Sequence, residues 1–482
     1  MADRDVVIVH GWSDTSDSFK PLANFLEKSG FKTTLLWLGD YISMDDDVKV
    51  ADVAKRMQSL IKEKLAKEEL RKPFDMIVHS TGGLVAREWI TANYQGNISD
   101  CPLRRLIMLA PANYGAKLAS MGQSFIGRIV KGWKNWFHTG KEMLASLELA
   151  SPYQWQLSQK DLLVPEGHTD ERMVYCDGGV WPFVITGTHP YPSTIRQIIN
   201  ENGADGTVRV AAANLNTKGI TIDFSSNEKN PDIRPWKQRY SGNIPLAVLP
   251  DRSHSSIVDP LGFDVKVPDN AREKLGELIL DALNCNSFNE YSEISKSWQA
   301  ISEGTAKLAN DEAGRESLFG KAGKLPDAEV FHQYMQINVY VVDDHGADVT
   351  DYVLEFSGPD MYRSENEEPT VYFHREVLEH VHTNTKNSAY RCLFVDRTDL
   401  INEFYKRIGD QFNKVLTMSI SATPPGDNIH YFSSVEEGAD GEYTLHSKDK
   451  GQRWLQRNTT HFVKIIIPRI PNDGVFTLIK FG

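Results

Sequence analysis

Phe74-Asp75-Met76-Ile77-Val78-His79-Ser80-Thr81-Gly82-Gly83-Leu84-Val85-Ala86-Arg87 is an apolar, strand-like run that passes through a serine and a glycine pair into a helix-like segment. A strand that turns sharply into a helix holds the residue at its apex away from its own backbone. The next N–H then lies at a helix N-terminus, where it can bind an oxyanion. Ser80 occupies that apex and has the setting of a nucleophile. A serine between a strand and a helix is more often only an N-cap, so the reading depends on partners elsewhere in the chain.

A serine hydroxyl at neutral pH needs a histidine base, a carboxylate to orient that base, and donors for the developing oxyanion. Val6-Val7-Ile8-Val9-His10-Gly11-Trp12 reads as an apolar first strand ending in His-Gly. There glycine lets the backbone turn and present the next N–H, so Trp12 and Thr81 are the candidate oxyanion-hole residues. The candidate acid is Asp205, in the glycine-flanked loop Gly203-Ala204-Asp205-Gly206-Thr207-Val208, in competition with Asp177, Asp223, Asp232 and Asp251. The candidate base is His254, directly after the apolar run Pro245–Leu249, in competition with His168 and His189. His10 and His79 adjoin backbone positions that must be rigid, and are read as loop braces rather than proton carriers.

At 482 residues, with 40% apolar and 24% charged residues, the chain is expected to form two or three ordinary globular domains. A net charge of -12 without a basic cluster interleaved with aromatics excludes nucleic acid as an expected partner. Cys101, Cys176, Cys285 and Cys392 show no paired spacing, which argues for buried thiols rather than zinc or a disulfide framework. His374, Glu376, Glu379, His380 and His382 lie near one another in sequence but lack a standard ligand spacing, so no metal and no cofactor is expected. Met1-Ala2-Asp3-Arg4-Asp5 lacks the marks of a secretory signal, which predicts synthesis as a cytoplasmic protein and leaves signal-independent export open. No apolar run approaches the roughly 20 residues of a membrane helix, so membrane contact is expected only peripherally, and the oligomeric state is not encoded.

Along the chain, Val6–Val9, Thr33–Leu38, Met76–Val78, Leu106–Leu109, Val184–Thr186, Ile220–Phe224 and Pro245–Leu249 alternate with helical patterns, as in a mostly parallel sheet covered by helices. This predicts an α/β domain over residues 1–285. From Gly115 the alternation stops, and Phe125, Ile126, Ile129, Val130, Trp133, Trp136, Phe137, Leu144, Leu147 and Leu149 suggest a helical lid over about 115–170. Residues 286–325 turn polar and read as a helical connector. Residues 326–482 show alternating runs and turn signals, which predict an antiparallel β-sandwich.

The motifs His10-Gly11-Trp12, His79-Ser80-Thr81-Gly82-Gly83, Leu109-Ala110-Pro111-Ala112-Asn113-Tyr114-Gly115, Ala204–Val208 and Ser253-His254-Ser255 together resemble the α/β-hydrolases. Within that superfamily the chain is similar to bacterial lipases and to the GPI inositol-deacylase-like lipases. The resemblance covers about Val6 to Cys285 and implies nucleophile, acid and base at Ser80, Asp205 and His254. It departs from the family's G-x-S-x-G at Val78, where a small residue is usual, and this predicts a slightly wider elbow. The implied function is a serine-dependent carboxylic ester hydrolase acting on lipid acyl esters. The alternatives are a phospholipase or acyltransferase using the same triad, including an exported toxin-like effector, or a binding protein in which the fold has lost activity.

Overall fold

Val6–Val9 is a run of four β-branched residues, whose stiff side chains favour extended backbone. In the computed structural model it forms β1, the strand next to one edge of the parallel sheet. The structure describes residues 4–11, 16–31, 36–39, 45–121, 140–191, 200–228, 230–262, 274–320, 325–358, 367–409, 416–432, 441–445 and 455–481. They form two compact units. One comprises Met1–Val164, Thr169–Thr217 and Gln238–Gln333; the other comprises Pro165–His168, Lys218–Lys237 and Tyr334–Gly482.

In the first unit β1 (Val6–Val9) is joined by β2 (Leu36–Gly39), β3 (Phe74–His79), β4 (Leu103–Leu109) and β5 (Trp181–Gly187). Two further strands, β6 (Lys218–Asp223) and β7 (Asp232–Pro235), precede β8 (Leu246–Leu249) in the chain. The catalytic sheet has the order β8-β5-β4-β3-β1-β2, and all of its pairings are parallel. A parallel sheet must be covered on both faces. α1 (Lys20–Lys28), α6 (Lys274–Asn284) and α7 (Phe288–Lys307) enclose one core with Ile8, Ile77, Ile107 and Phe183. On the opposite face α3 (Gly82–Tyr94) lays Trp89 against Phe74, and α2 (Val50–Ala66) follows it through a bond from Trp89 Nε1 to Gln58 Oε1. Of the expected lid region the structure describes the single helical turn Lys117–Ser120 and two longer helices, α4 (Lys141–Leu147) and α5 (Pro152–Asp161).

The stretch expected to be a connector is part of this core. Tyr291 and Trp298 of α7 pack on Phe183, with ring centroids 5.2 and 5.7 Å away. Ser302 accepts from the Val248 N–H and donates to the Leu246 carbonyl, while Thr305 donates to the Val248 carbonyl. The polar residues of α7 therefore serve the backbone of β8, the edge strand, which would otherwise expose unpaired groups.

In the second unit β9 (Tyr334–Asp343), β11 (Leu378–Thr383), β12 (Tyr390–Asp396) and β15 (Thr459–Ile467) join β6 and β7 in a sheet of order β11-β12-β9-β15-β6-β7. The strands β10 (Tyr352–Ser357), β13 (Leu416–Ala422) and β14 (Gly441–Leu445) form a smaller antiparallel sheet. Both sheets share one core, with Ile337, Val463 and Ile220 from the larger and Phe356 and Met418 from the smaller. Two expectations are corrected here. The larger sheet is mixed, because β9 pairs with β15 and β15 with β6 in parallel. The run Ile220–Phe224 belongs to this sheet and not to the catalytic one, since Val463 of β15 pairs with Ile220. Strand periodicity marks a strand without naming its partner.

Candidate active site

The strand order sends the chain from β1 to one neighbour, β2, and then back across β1 to β3. Open α/β sheets bind ligands at such a switch point, outside the carboxyl ends of the strands. His10-Gly11 leaves β1 there and Ser80 leaves β3. Ser80 has φ 53°, a left-handed conformation uncommon for a non-glycine residue. It persists because the elbow is bonded on several sides. Ser80 N–H donates to the Leu109 carbonyl, and the Ser80 carbonyl accepts from the N–H groups of Gly83 and Ala112 at 3.1 and 3.2 Å.

The glycines of the motif are required by close approach. A Cβ on Gly82 would lie 3.0 Å from the His10 carbonyl oxygen and 3.4 Å from Val78 Cβ, and one on Gly11 would lie 2.7 Å from Ser80 Cβ. Val78 is fully buried and takes the room that the bare Gly82 leaves. The departure at Val78 is thus accommodated by the glycine on the far side of the elbow.

Asp205 and His254 are brought to Ser80 from the loops after β5 and β8. Asp205 Oδ1 accepts the N–H groups of Thr207 and Val208 at 3.0 and 2.7 Å, which leaves Oδ2 to accept from His254 Nδ1 at 2.9 Å. The turn that permits this needs Gly206, at φ 93° and with the Tyr191 ring against it, so that a Cβ would meet Tyr191 at 2.7 Å. Tyr191 and Thr207 hydroxyls are bonded at 3.0 Å. A carboxylate only accepts, so Nδ1 of His254 carries its proton and Nε2 is free to accept. His254 Nε2 lies 3.0 Å from Ser80 Oγ. Ser80, Asp205 and His254 are all buried, as nucleophile–base pairs shielded from bulk water must be. The arrangement can transfer the Ser80 proton to the imidazole and stabilise the imidazolium formed.

The competing residues lie elsewhere. Asp177 and Asp232 are exposed, Asp223 in β6 pairs with Arg234, and buried Asp251 sits beside Arg252. His168 is exposed, and His189 stacks on Phe319 with parallel rings 5.7 Å apart. Thr81 is the N-cap residue just before α3 and is fully buried, and its N–H has no acceptor among the described residues. Trp12 lies outside the described residues, as does most of the expected lid, including Trp133, Trp136 and Phe137. Leu144, Leu147 and Leu149 are buried.

Sequence reasoning missed the clamp beneath the elbow. Arg87 of α3 is fully buried and bonds Asp161 of α5 through Nε at 2.7 Å and Nη2 at 3.0 Å. It also reaches the Asn113 carbonyl, while Tyr175 donates to the same aspartate at 2.8 Å. Burial opposes the Arg87 charge, and Asp161 more than offsets this, so its pKa is raised. A spacing signal could not have found the pair, because its members are 74 residues apart.

A family model described as serine aminopeptidase S33 matches residues 2–177. Among curated proteins nothing matches. Among solved structures, phospholipase PlaB from Legionella pneumophila is 25% identical, with a TM-score of 0.78, over 99% of this chain and 96% of that chain. The same phospholipase in complex with thio-NAD matches over the same shares with a TM-score of 0.77. The mature form of lipase BlEst2 from Bacillus licheniformis is 14% identical over 53% of this chain and 86% of that chain, with a TM-score of 0.35. With a parallel sheet of this order, and with the likeness to phospholipase PlaB along nearly the whole chain, the chain has an α/β-hydrolase fold with additional C-terminal β-sheets and is a serine ester hydrolase similar to lipases.

Proposed function

We propose that the chain cleaves acyl esters of phospholipids through an acyl-enzyme on Ser80. The observation that carries this reading is the buried chain from Ser80 Oγ to His254 Nε2 and from His254 Nδ1 to Asp205 Oδ2, at 3.0 and 2.9 Å. Ser80 Oγ forms a bond to the acyl carbon as its proton passes to His254 Nε2. The ester C–O bond then breaks, and the proton goes from Nε2 to the leaving alcohol. Water repeats the sequence, losing its proton to His254 and releasing the fatty acid and free Ser80. Asp205 keeps the imidazole in the right tautomer, and the unpaired Thr81 N–H donates to the tetrahedral oxyanion, a contact worth about two to three powers of ten in rate.

Phospholipid as the class draws on the likeness to phospholipase PlaB along nearly the whole chain. The test is to incubate the protein with phosphatidylcholine vesicles and, separately, with triacylglycerol emulsion, and to identify products by mass spectrometry. Free fatty acid and lysophospholipid are expected from the vesicles. Cleavage of triacylglycerol with phospholipid left intact would overturn the proposed class.

A further inference from the structure

The peptide of His254 is held at both ends. Its N–H donates to the Asp205 carbonyl at 2.9 Å, and its carbonyl lies 3.1 Å from His79 Nε2. A carbonyl oxygen can only accept, so Nε2 of His79 carries a proton, and in the neutral ring Nδ1 is a bare lone pair. That Nδ1 is buried without a partner among the described residues. The ring has little freedom to leave this position. Phe19 meets it edge-on with centroids 5.8 Å apart, the His254 ring lies 4.7 Å away, and a Cβ on Gly11 would come within 3.0 Å of Nδ1.

We infer that His79 is a positioning residue for ester cleavage: the imidazole adjacent to the nucleophile tethers the backbone of the base. This rests on the roles proposed for Ser80, Asp205 and His254. The three loops are then joined twice, once through side chains and once through the Asp205 carbonyl, the His254 peptide and His79. Nε2 donates to this carbonyl whether the ring is neutral or charged, so the neutrality of His79 comes from its surroundings and not from the tether. The titratable groups facing it are His254 and His10, with Asp205 behind His254, while Phe19 closes the apolar side. Burial, and after it the charge His254 can carry, push the His79 pKa well below the ordinary value. A neutral His79 does not oppose the positive charge that His254 acquires in each half-reaction.

The experiment compares His79→Gln, whose amide can donate from near the Nε2 position, with His79→Leu, which cannot. A misplacement of about 1 Å costs about 100-fold in rate. On a soluble ester, kcat of His79→Leu is therefore expected to fall about 10- to 100-fold with KM within about twofold, and His79→Gln to recover to within about fivefold of the parent. The rate of labelling by a fluorophosphonate should follow the same order. Full kcat in His79→Leu overturns the inference, as does an equal loss in both variants that tracks a lowered thermal midpoint. Ser80→Ala is measured in parallel. If it keeps turnover, the reading of Ser80 fails; if it is inactive while His79→Leu is unaffected, only the tether fails.

Discussion

Gly82 and Val78 show how one residue compensates another at the elbow. A side chain at 82 has no room because the atoms it meets are backbone carbonyls of residues 9 and 10, which cannot swing aside. Gly82→Ala is expected to lower stability by about 1–3 kcal/mol through this overpacking, read as a shifted urea midpoint, together with reduced activity. His79 makes a pH prediction whose sign can be worked out. Its folded pKa is depressed below the ordinary 6.5. Above 6.5 the folded and unfolded forms are both neutral; below it the unfolded chain takes up a proton that the folded one does not. The stability contribution is therefore lost as pH falls below about 6.5. The drop in urea midpoint between pH 7 and pH 5 should be smaller in His79→Gln than in the parent, and an unchanged drop would contradict the neutral buried ring. The chemistry-bearing residues were legible by different signals: Ser80 follows an apolar run with a glycine pair just beyond it, Asp205 lies in a glycine-flanked loop, and His254 comes shortly after the last apolar run of its domain. Arg87 was not, because burial of a charged residue is decided by a distant partner.

At the scale of elements, Arg87 and Asp161 fasten α3, the helix after Ser80, to α5. Both side chains are fully buried, so removal of one partner leaves an uncompensated charge. Arg87→Met is expected to destabilise by about 3–5 kcal/mol, with the Arg87→Met and Asp161→Leu pair recovering much of it. Denaturant unfolding of the two single variants and the double variant measures the coupling. No recovery would show that the pair acts otherwise than as an isolated buried ion pair. α7 teaches the complementary lesson. Its serines and threonine made it read as a solvated connector, yet Ser302 and Thr305 bond the edge strand β8 while Trp298 and Tyr291 face the core. Composition averages a helix over its faces; only the partner reveals which polar residues are used.

For the whole molecule, the strands of the catalytic sheet were legible as continuous apolar runs, which is what strands covered on both faces require. The exception carried its own signal. Lys218-Gly219-Ile220-Thr221-Ile222-Asp223 sets Gly219 and Thr221 beside its isoleucines rather than running apolar, although Gly219, Ile220, Thr221 and Ile222 are all buried and only Lys218 and Asp223 are partly exposed. Its place beside β15 depends on a partner more than 200 residues away, a pairing that no local pattern encodes. Among the described residues no helix is long and apolar enough to cross a membrane. The most direct measurement of the central claim is to treat the protein and Ser80→Ala with a fluorophosphonate and with phosphatidylcholine vesicles, then map the adduct and the lipid products by mass spectrometry. One adduct on Ser80, absent in Ser80→Ala together with fatty-acid release, is the predicted result; an adduct at another residue, or lipid turnover that survives Ser80→Ala, contradicts it.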